Sequence, residues 1–114
     1  MKISILCSKN FNNYKVLDEI LNELIEESQC FLFTVICGST VNQKIESLGG
    51  LWAKNNGAAI NYIIEEDVNK LINKVVKEVD FIIAFYDGED SFIRRVIMKM
   101  KKCGKHGRIY YCGR

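Results

Sequence analysis

An acidic turn followed by two arginines is the part of the sequence best suited to chemistry. Asp87, Glu89 and Asp90 follow an apolar run directly, and carboxylates in such a turn hold Mg²⁺ or act as acid and base. A solvated acidic turn is the alternative. Arg94 and Arg95 begin the next helical pattern, where the helix dipole disfavours cations. A bound anion would remove that cost, so we expect an anion site here.

Two other loops offer groups that suit an anion. Ser8 and Lys9 precede the first helical pattern, where a hydroxyl, a cation and a helix N-terminus act together. Gly38 lets a backbone approach closely, and Ser39 and Thr40 add hydroxyls. In both loops the alternative is a structural turn whose polar side chains only cap a helix.

The histidine and the cysteines do not favour nucleophilic or metal chemistry. His106, the only histidine, precedes the last predicted strand, at the opposite sheet edge from Cys7 and Cys37, which disfavours a Cys/His pair. The five cysteines are an odd number without framework spacing, which indicates reduced thiols. Cys103, His106 and Cys112 give three zinc ligands where a structural site wants four. We expect neither metal nor cofactor.

Short apolar runs alternate with longer segments of helical period, the pattern of an α/β protein with a mainly parallel sheet. Several runs are apolar at almost every position, which indicates helices on both faces of the sheet. Right-handed crossovers place all strand-to-helix loops at one edge, where such sheets bind ligands. The five predicted strands are Lys2–Cys7, Phe31–Cys37, Ile60–Ile64, Phe81–Tyr86 and Arg108–Tyr111.

Four helices are predicted between these strands. Their apolar stripes cover Val16–Ile25, Ile45–Trp52, Val68–Val79 and Phe92–Met100. Gly49 and Gly50 fall inside the second pattern, where we expect them to permit close packing or a kink. The candidate N-caps are Asn12 or Asn13 for the first helix, Asp67 for the third and Ser91 for the fourth.

Length and composition are those of one globular domain. The chain has 114 residues, 48% of them hydrophobic and 26% charged. A chain of this length can form a hydrophobic core without a stabilising metal or disulfide. No apolar run approaches the roughly 20 residues of a spanning helix, and the start lacks the pattern of a secretory signal. We therefore expect a cytoplasmic protein with no membrane partner.

Charge is unevenly distributed along the chain. Residues 1–89 hold 8 Lys and Arg against 13 Asp and Glu, whereas residues 90–114 hold 8 against 1. This asymmetry is typical of an anion or nucleic-acid surface, and a solvated basic face is the alternative. For nucleic acid the candidates are Lys99, Lys101 and Lys102, although no aromatic residues interleave them for base stacking. Pairing of acidic and basic faces predicts a homo-oligomer.

Several motifs are similar to those of one known superfamily. The stretch CSKNFNNYKVLDEIL resembles the opening of the YspA-like branch of the SLOG superfamily, a G-S-R-D-F-x-D-Y type loop after the first strand. VICGS with IESLGGLWAKNNGAAINYI is similar to its second motif, and VDFIIAFYDGEDS to its fourth-strand ending. The matching positions of the first loop are Ser8, Lys9, Phe11, Asn13 and Tyr14.

The resemblance implies a single Rossmann-like three-layer domain over residues 1–114 that binds a nucleotide or a nucleotide-derived ligand. Glu46 is the nearest counterpart of the family's acidic residue and would hold a ribose hydroxyl. The sequence departs from the family at Cys7 and Ser39, which replace glycines, and at Ile93-Arg94, which replaces Gly-Thr. The arginines would then supply charge where backbone amides are lost.

The P-G-G-x-G-T-x-x-E signature of the family's phosphoribohydrolases is absent, so we expect a non-catalytic binder of a cyclic nucleotide or an ADP-ribose-type signal. A free-standing binder of this size suggests a phage-encoded sponge for a host antiviral messenger. A nucleotide hydrolase and a nucleic-acid-binding protein are the second and third hypotheses. The predicted ligand-binding residues are Ser8, Lys9, Phe11, Gly38, Ser39, Thr40, Glu46, Asp87, Gly88, Ser91, Arg94 and Arg95.

Overall fold

The computed structural model of the chain describes residues 1–29, 32–40 and 47–112. Over these residues the predicted alternation of strands and helices is confirmed. The strands are β1 (Lys2–Cys7), β2 (Thr34–Thr40), β3 (Ala59–Glu65), β4 (Phe81–Tyr86) and β5 (His106–Tyr111). The helices are α1 (Tyr14–Ser28), α2 (Leu48–Asn55), α3 (Val68–Glu78) and α4 (Ser91–Lys102).

The sheet contains five parallel strands in the order β3-β2-β1-β4-β5. From β1 the chain adds β2 and β3 on one side, and α3 then carries it back to β4 on the other side of β1. The two central strands are in register from Ile3 opposite Phe81 to Cys7 opposite Phe85. Because the side on which new strands are added reverses at β1, the loops after β1 and β4 diverge and leave a crevice, as in other Rossmann-like sheets.

Each face of the sheet is covered by two helices. On one face, Leu17 and Leu21 of α1 and Trp52 of α2 pack against Ile5 and neighbouring strand residues. On the other face, α3 and α4 bury two further clusters against the even-numbered residues of β2 and β4. Gly49 shows how close α2 comes to β1, since a Cβ added there would lie 2.8 Å from Cβ of Ile5. The expectation that this glycine permits close packing is confirmed.

Strand β2 lies three residues further along the chain than predicted. Leu32 is 84% exposed, and the strand begins at Thr34, which pairs with Ala59 of β3 and donates its N–H to the carbonyl of Met1. At the other end Thr40 pairs with Glu65. The prediction from the apolar run was therefore displaced, because the pairing of β2 with β3 continues through Gly38, Ser39 and Thr40, which are small or polar. Phe31 lies outside the described residues.

Two of the three predicted helix caps are confirmed, and the third, in α4, is not. Side-chain oxygens of Asn13 and Asp67 accept hydrogen bonds from the first turns of α1 and α3. In α4 the predicted cap, Ser91, is wrong: Asp90 has the non-helical backbone, and its Oδ1 accepts from the N–H of Ile93 at 3.0 Å. Aspartate and serine are about equally good caps, so propensity could not separate the two neighbours.

The two helical layers carry opposite charge. Helix α1 contains five acidic residues and one lysine, whereas α3 and α4 contain three and five Lys or Arg residues with Glu78 as their single acid. The sheet thus separates an acidic layer from a basic one. Among the described residues, no helix combines the length and apolarity needed to cross a membrane.

Candidate functional site

A crevice of about 670 Å³ lies at the carboxyl edge of the sheet, where the loops after β1 and β4 diverge. Parallel α/β sheets bind ligands at this position, and the volume falls within the usual range of small-molecule sites. Among the predicted ligand-binding residues, those that line it are Lys9, Gly38, Asp87, Ser91 and Arg95.

Ser8 joins the two loops beneath the crevice. Its N–H donates to the carbonyl of Phe85 at 2.9 Å, and its hydroxyl oxygen accepts from the N–H of Asp87 at 3.0 Å. The side chain is buried. The hydroxyl that the sequence suggested as a ligand group therefore holds the two loops together, and a ligand would contact the residues on either side of it.

Asp87 organises the acidic turn. Its Oδ1 accepts from the N–H groups of Glu89 and Asp90 at 2.8 and 2.9 Å. These two hydrogen bonds, with a smaller contribution from Ser8, hold the pKa of Asp87 below its usual value. Together with the capping role of Asp90, this leaves two of the three acids bound to backbone amides. Over the described residues, no group of three or more His, Cys, Asp or Glu side chains is placed to hold a metal ion.

The two arginines have different roles. The Nε of Arg94 donates to the hydroxyl of Tyr86 and its Nη2 to the carbonyl of Gly88, each at 3.0 Å, and the bond to Tyr86 raises the pKa of Arg94. Arg94 therefore braces the turn. Arg95 lines the crevice and donates to Oδ1 of Asn69.

Positive charge in the crevice comes from Lys9 and Arg95. Within the described residues Lys9 forms no ion pair, so its charge is available to a ligand. Ser91, the first residue of α4, is exposed at the crevice beside the positive end of that helix. Two cations and a helix N-terminus therefore converge on one space.

The thiols of the crevice are poor nucleophiles. Burial, with a smaller effect from Cys112, raises the pKa of Cys7 to about 12. Burial also raises the pKa of Cys37. His106 is the first residue of β5, paired with Phe81, so it lies at the opposite edge as predicted, although in a strand and not in the loop before it.

The other predicted site residues lie elsewhere. Phe11 stacks on Phe85 with ring centroids 4.7 Å apart, and Phe85 stacks on Tyr110 at 5.5 Å. These rings belong to the core on the α1 and α2 face. Ser39 is buried in β2, and Thr40 is the last residue of that strand. Glu46 lies outside the described residues.

Ser47 and Val68 are among the crevice residues that were not predicted as ligand-binding. Ser47 caps α2 by accepting from the N–H of Gly50 at 3.0 Å, and Val68 is the first residue of α3; both line the crevice. A serine directly before Leu48-Gly49-Gly50 is a cap signal, which would have identified the first of them.

No protein-family model matches the chain, and no curated protein matches it. The resemblance to SLOG domains therefore stays a prediction from short motifs.

A second cavity lies at the other end of the molecule. It has a volume of about 310 Å³ and is lined mainly by apolar side chains of α1 and the sheet, with Glu27 and Arg108 among the lining residues. These two form an ion pair at 3.2 Å. The cavity contains few groups that recognise a polar ligand, in contrast to the crevice.

Proposed function

We propose that the protein binds a phosphate-bearing, nucleotide-derived small molecule in the crevice and does not cleave it. The observation that carries this proposal is the convergence of Lys9, Arg95 and the N-terminus of α4 on one space at the carboxyl edge of the sheet. A phosphate is the common biological anion that best fits a helix N-terminus flanked by cations.

The crevice contains three acids beside its two cations, and two of the acids are partly offset. The carboxylates of Asp87 and Asp90 accept hydrogen bonds from backbone N–H groups, which offset part of their negative charge. Lys9 has no such compensation among the described residues. Because Glu89 also lines the crevice, the proposal requires the phosphate to contact Lys9 and Arg95 directly.

The residues at hand support binding without cleavage. A lowered pKa makes Asp87 a poor proton donor at neutral pH, and a pKa of about 12 leaves Cys7 protonated. His106 lies at the far edge of the sheet. The motifs resemble those of SLOG domains and so favour a cyclic nucleotide or an ADP-ribose-type signal as the ligand; the role we propose is a sponge that sequesters an antiviral messenger.

Isothermal titration tests the binding proposal with a panel of cyclic dinucleotides, cyclic trinucleotides and ADP-ribose isomers. We expect at least one compound to bind, and the double variant Lys9→Gln/Arg95→Gln to bind it at least about tenfold more weakly, because two charge-assisted contacts are removed. The matched control, Lys15→Gln/Lys54→Gln, removes two cations from the α1 and α2 layer and should bind as the wild type does. Absence of binding to the whole panel would refute the proposal.

The fate of the ligand separates a binder from a hydrolase. After binding, the protein is denatured by heat and the released compound is analysed by mass spectrometry. An intact compound supports sequestration, whereas a product that accumulates with time supports the hydrolase hypothesis.

A further inference from the structure

A basic groove runs between α3 and α4, on the outer surface of the basic layer. Its volume is about 310 Å³. Ile72 and Met98 provide its apolar part, and Met98 is 64% exposed. The polar lining residues are Asn69, Asn73, Arg95, Lys99 and Lys102.

The groove concentrates cations on one stripe of α4. Arg95, Lys99 and Lys102 recur at intervals of four and three residues, which places them on one side of the helix over a length of about 10 Å. Within the described residues, none of the three takes part in an ion pair. Helix α4 contains no acid, and the single acid of α3, Glu78, pairs with Lys2. The three positive charges therefore lie close together, and no acidic side chain of α3 or α4 pairs with them.

We propose that this groove binds the phosphodiester backbone of a nucleic acid, without reading its sequence. A row of lysines and an arginine matches successive phosphates, and Asn69 and Asn73 face the row with side-chain amides that suit phosphate and sugar oxygens. Among the residues that the structure describes, no aromatic side chain lines the groove, so the described lining offers bases no surface on which to stack. The site is separate from the crevice except for Arg95, which lines both.

Two other anionic partners fit the groove less well. A membrane surface requires bulky apolar residues beside the lysines, and among the described residues of this lining Met98 is the single large exposed hydrophobic one. The acidic helix α1 of a second copy has two of its five acids already engaged within its own chain, since Asp18 accepts from Nε1 of Trp52 and Glu27 pairs with Arg108. A row of phosphates has no such internal partners.

The chain provides a matched control on the same helix. Lys101 is exposed and lies in α4 between Lys99 and Lys102, but it is absent from the groove lining. Two residues along a helix correspond to about 200° of rotation, so Lys101 points away from Lys99. Removing Lys101 changes the net charge without changing the groove.

Fluorescence anisotropy with labelled single-stranded DNA and RNA of mixed sequence tests the proposal at salt concentrations from about 50 to 200 mM. Three phosphate contacts predict a slope of log K against log salt of about −2. We expect Lys99→Gln/Lys102→Gln to weaken binding at least about tenfold at the lowest salt and to bring the slope to about −0.7. Lys101→Gln should bind within about twofold of the wild type, because exposed substitutions away from a site have small effects.

Four results would overturn the proposal. The first is no oligonucleotide binding at about 50 mM salt, and the second is an equal loss in the Lys101 variant and the groove variant. The third is groove-dependent binding to phosphatidylserine vesicles with no effect on oligonucleotides, which would assign the groove to a membrane. The fourth is groove-dependent self-association in low-salt sedimentation without oligonucleotide binding, which would assign it to a second copy.

Discussion

The buried hydroxyl of Ser8 accepts a hydrogen bond from the backbone N–H of Asp87 at 3.0 Å, and so joins two loops that are 79 residues apart in the sequence. Lys9 directly follows Ser8, and Asp87 begins the acidic turn that leads into α4. The bond therefore fixes the position of a crevice cation relative to the N-terminus of α4, and the geometry of the proposed site depends on it.

Replacing Ser8 with alanine should destabilise the protein by about 1–3 kcal/mol, because the N–H of Asp87 would remain in a partly buried position without an acceptor. Urea unfolding followed by the fluorescence of Trp52, the single and buried tryptophan, measures the change. Ser91→Ala is the control: its side chain is exposed and forms no hydrogen bond within the described residues, so the effect should stay within about 0.5 kcal/mol. Equal effects of the two substitutions would show that the Ser8 bond contributes little.

Acidification should lower the stability of the wild type more than it lowers the stability of the Asp87→Asn variant. The pKa of Asp87 is lower in the folded protein because the N–H groups of Glu89 and Asp90 stabilise the carboxylate. Its contribution is therefore complete above the unfolded-state pKa of about 3.9 and is lost as the pH falls through the lower, folded value. Asparagine keeps the acceptor oxygen but does not titrate.

Urea midpoints at neutral pH and at about pH 3, below the unfolded-state pKa, measure this pH dependence. The decrease on acidification should be smaller in Asp87→Asn than in the wild type. Glu23→Gln removes an exposed carboxylate of α1 and should leave the decrease unchanged. The same decrease in all three proteins would contradict a stabilising role for the ionised Asp87 side chain.

Two adjacent glycines of α2 should respond differently to alanine. A Cβ at Gly49 would lie 2.8 Å from Cβ of Ile5, whereas a Cβ at Gly50 would have its nearest neighbour, Oγ of Ser47, at 3.2 Å. Gly49→Ala therefore forces α2 away from β1 and should cost about 1–3 kcal/mol. At Gly50 the smaller clash is offset by the better helix propensity of alanine. Urea unfolding of both variants gives the comparison, and similar stabilities would contradict the packing described for α2.

Thiol labelling at about pH 8 should distinguish exposed from buried cysteines. Cys103 is exposed and should react first, whereas Cys7, whose pKa burial raises to about 12, should react more than about a hundredfold more slowly. Mass spectrometry of digested samples measures the label on each cysteine separately, so that Cys103 and Cys7 are compared directly. In urea Cys7 should react readily. Labelling of native Cys7 at the rate of Cys103 would show that this thiol is accessible.

Much of the fold could be predicted because its strands are apolar on both sides. The bounds of β1 and β4, the central strands, were predicted correctly, since a strand buried on both faces has an apolar residue at nearly every position. Strand β2 was displaced because its ladder with β3 continues through Gly38, Ser39 and Thr40. These small and polar residues form backbone pairs at the carboxyl end of β2. A prediction based on apolar runs cannot detect such pairs.

The candidate site could be predicted only in outline. Crossover handedness fixed the sheet edge, and five of the predicted residues line the crevice. Adjacent residues of one helix point about 100° apart, so the sequence did not show that Arg94 braces the turn through Tyr86 while Arg95 lines the crevice. The hydrogen bond from the N–H of Asp87 to the hydroxyl of Ser8 could not be predicted either, because the two residues are 79 positions apart in the sequence.

The most direct test of the central claim is amide chemical-shift mapping of the labelled protein with ADP-ribose and, separately, with a cyclic dinucleotide. If the crevice binds a phosphate-bearing nucleotide, saturable shifts should appear at Lys9, Gly38 and Ser91, at one end of the sheet. They should be lost in Lys9→Gln/Arg95→Gln. Absence of saturable shifts with either compound, or shifts confined to the apolar cavity around Leu24 and Ile25, would contradict the claim.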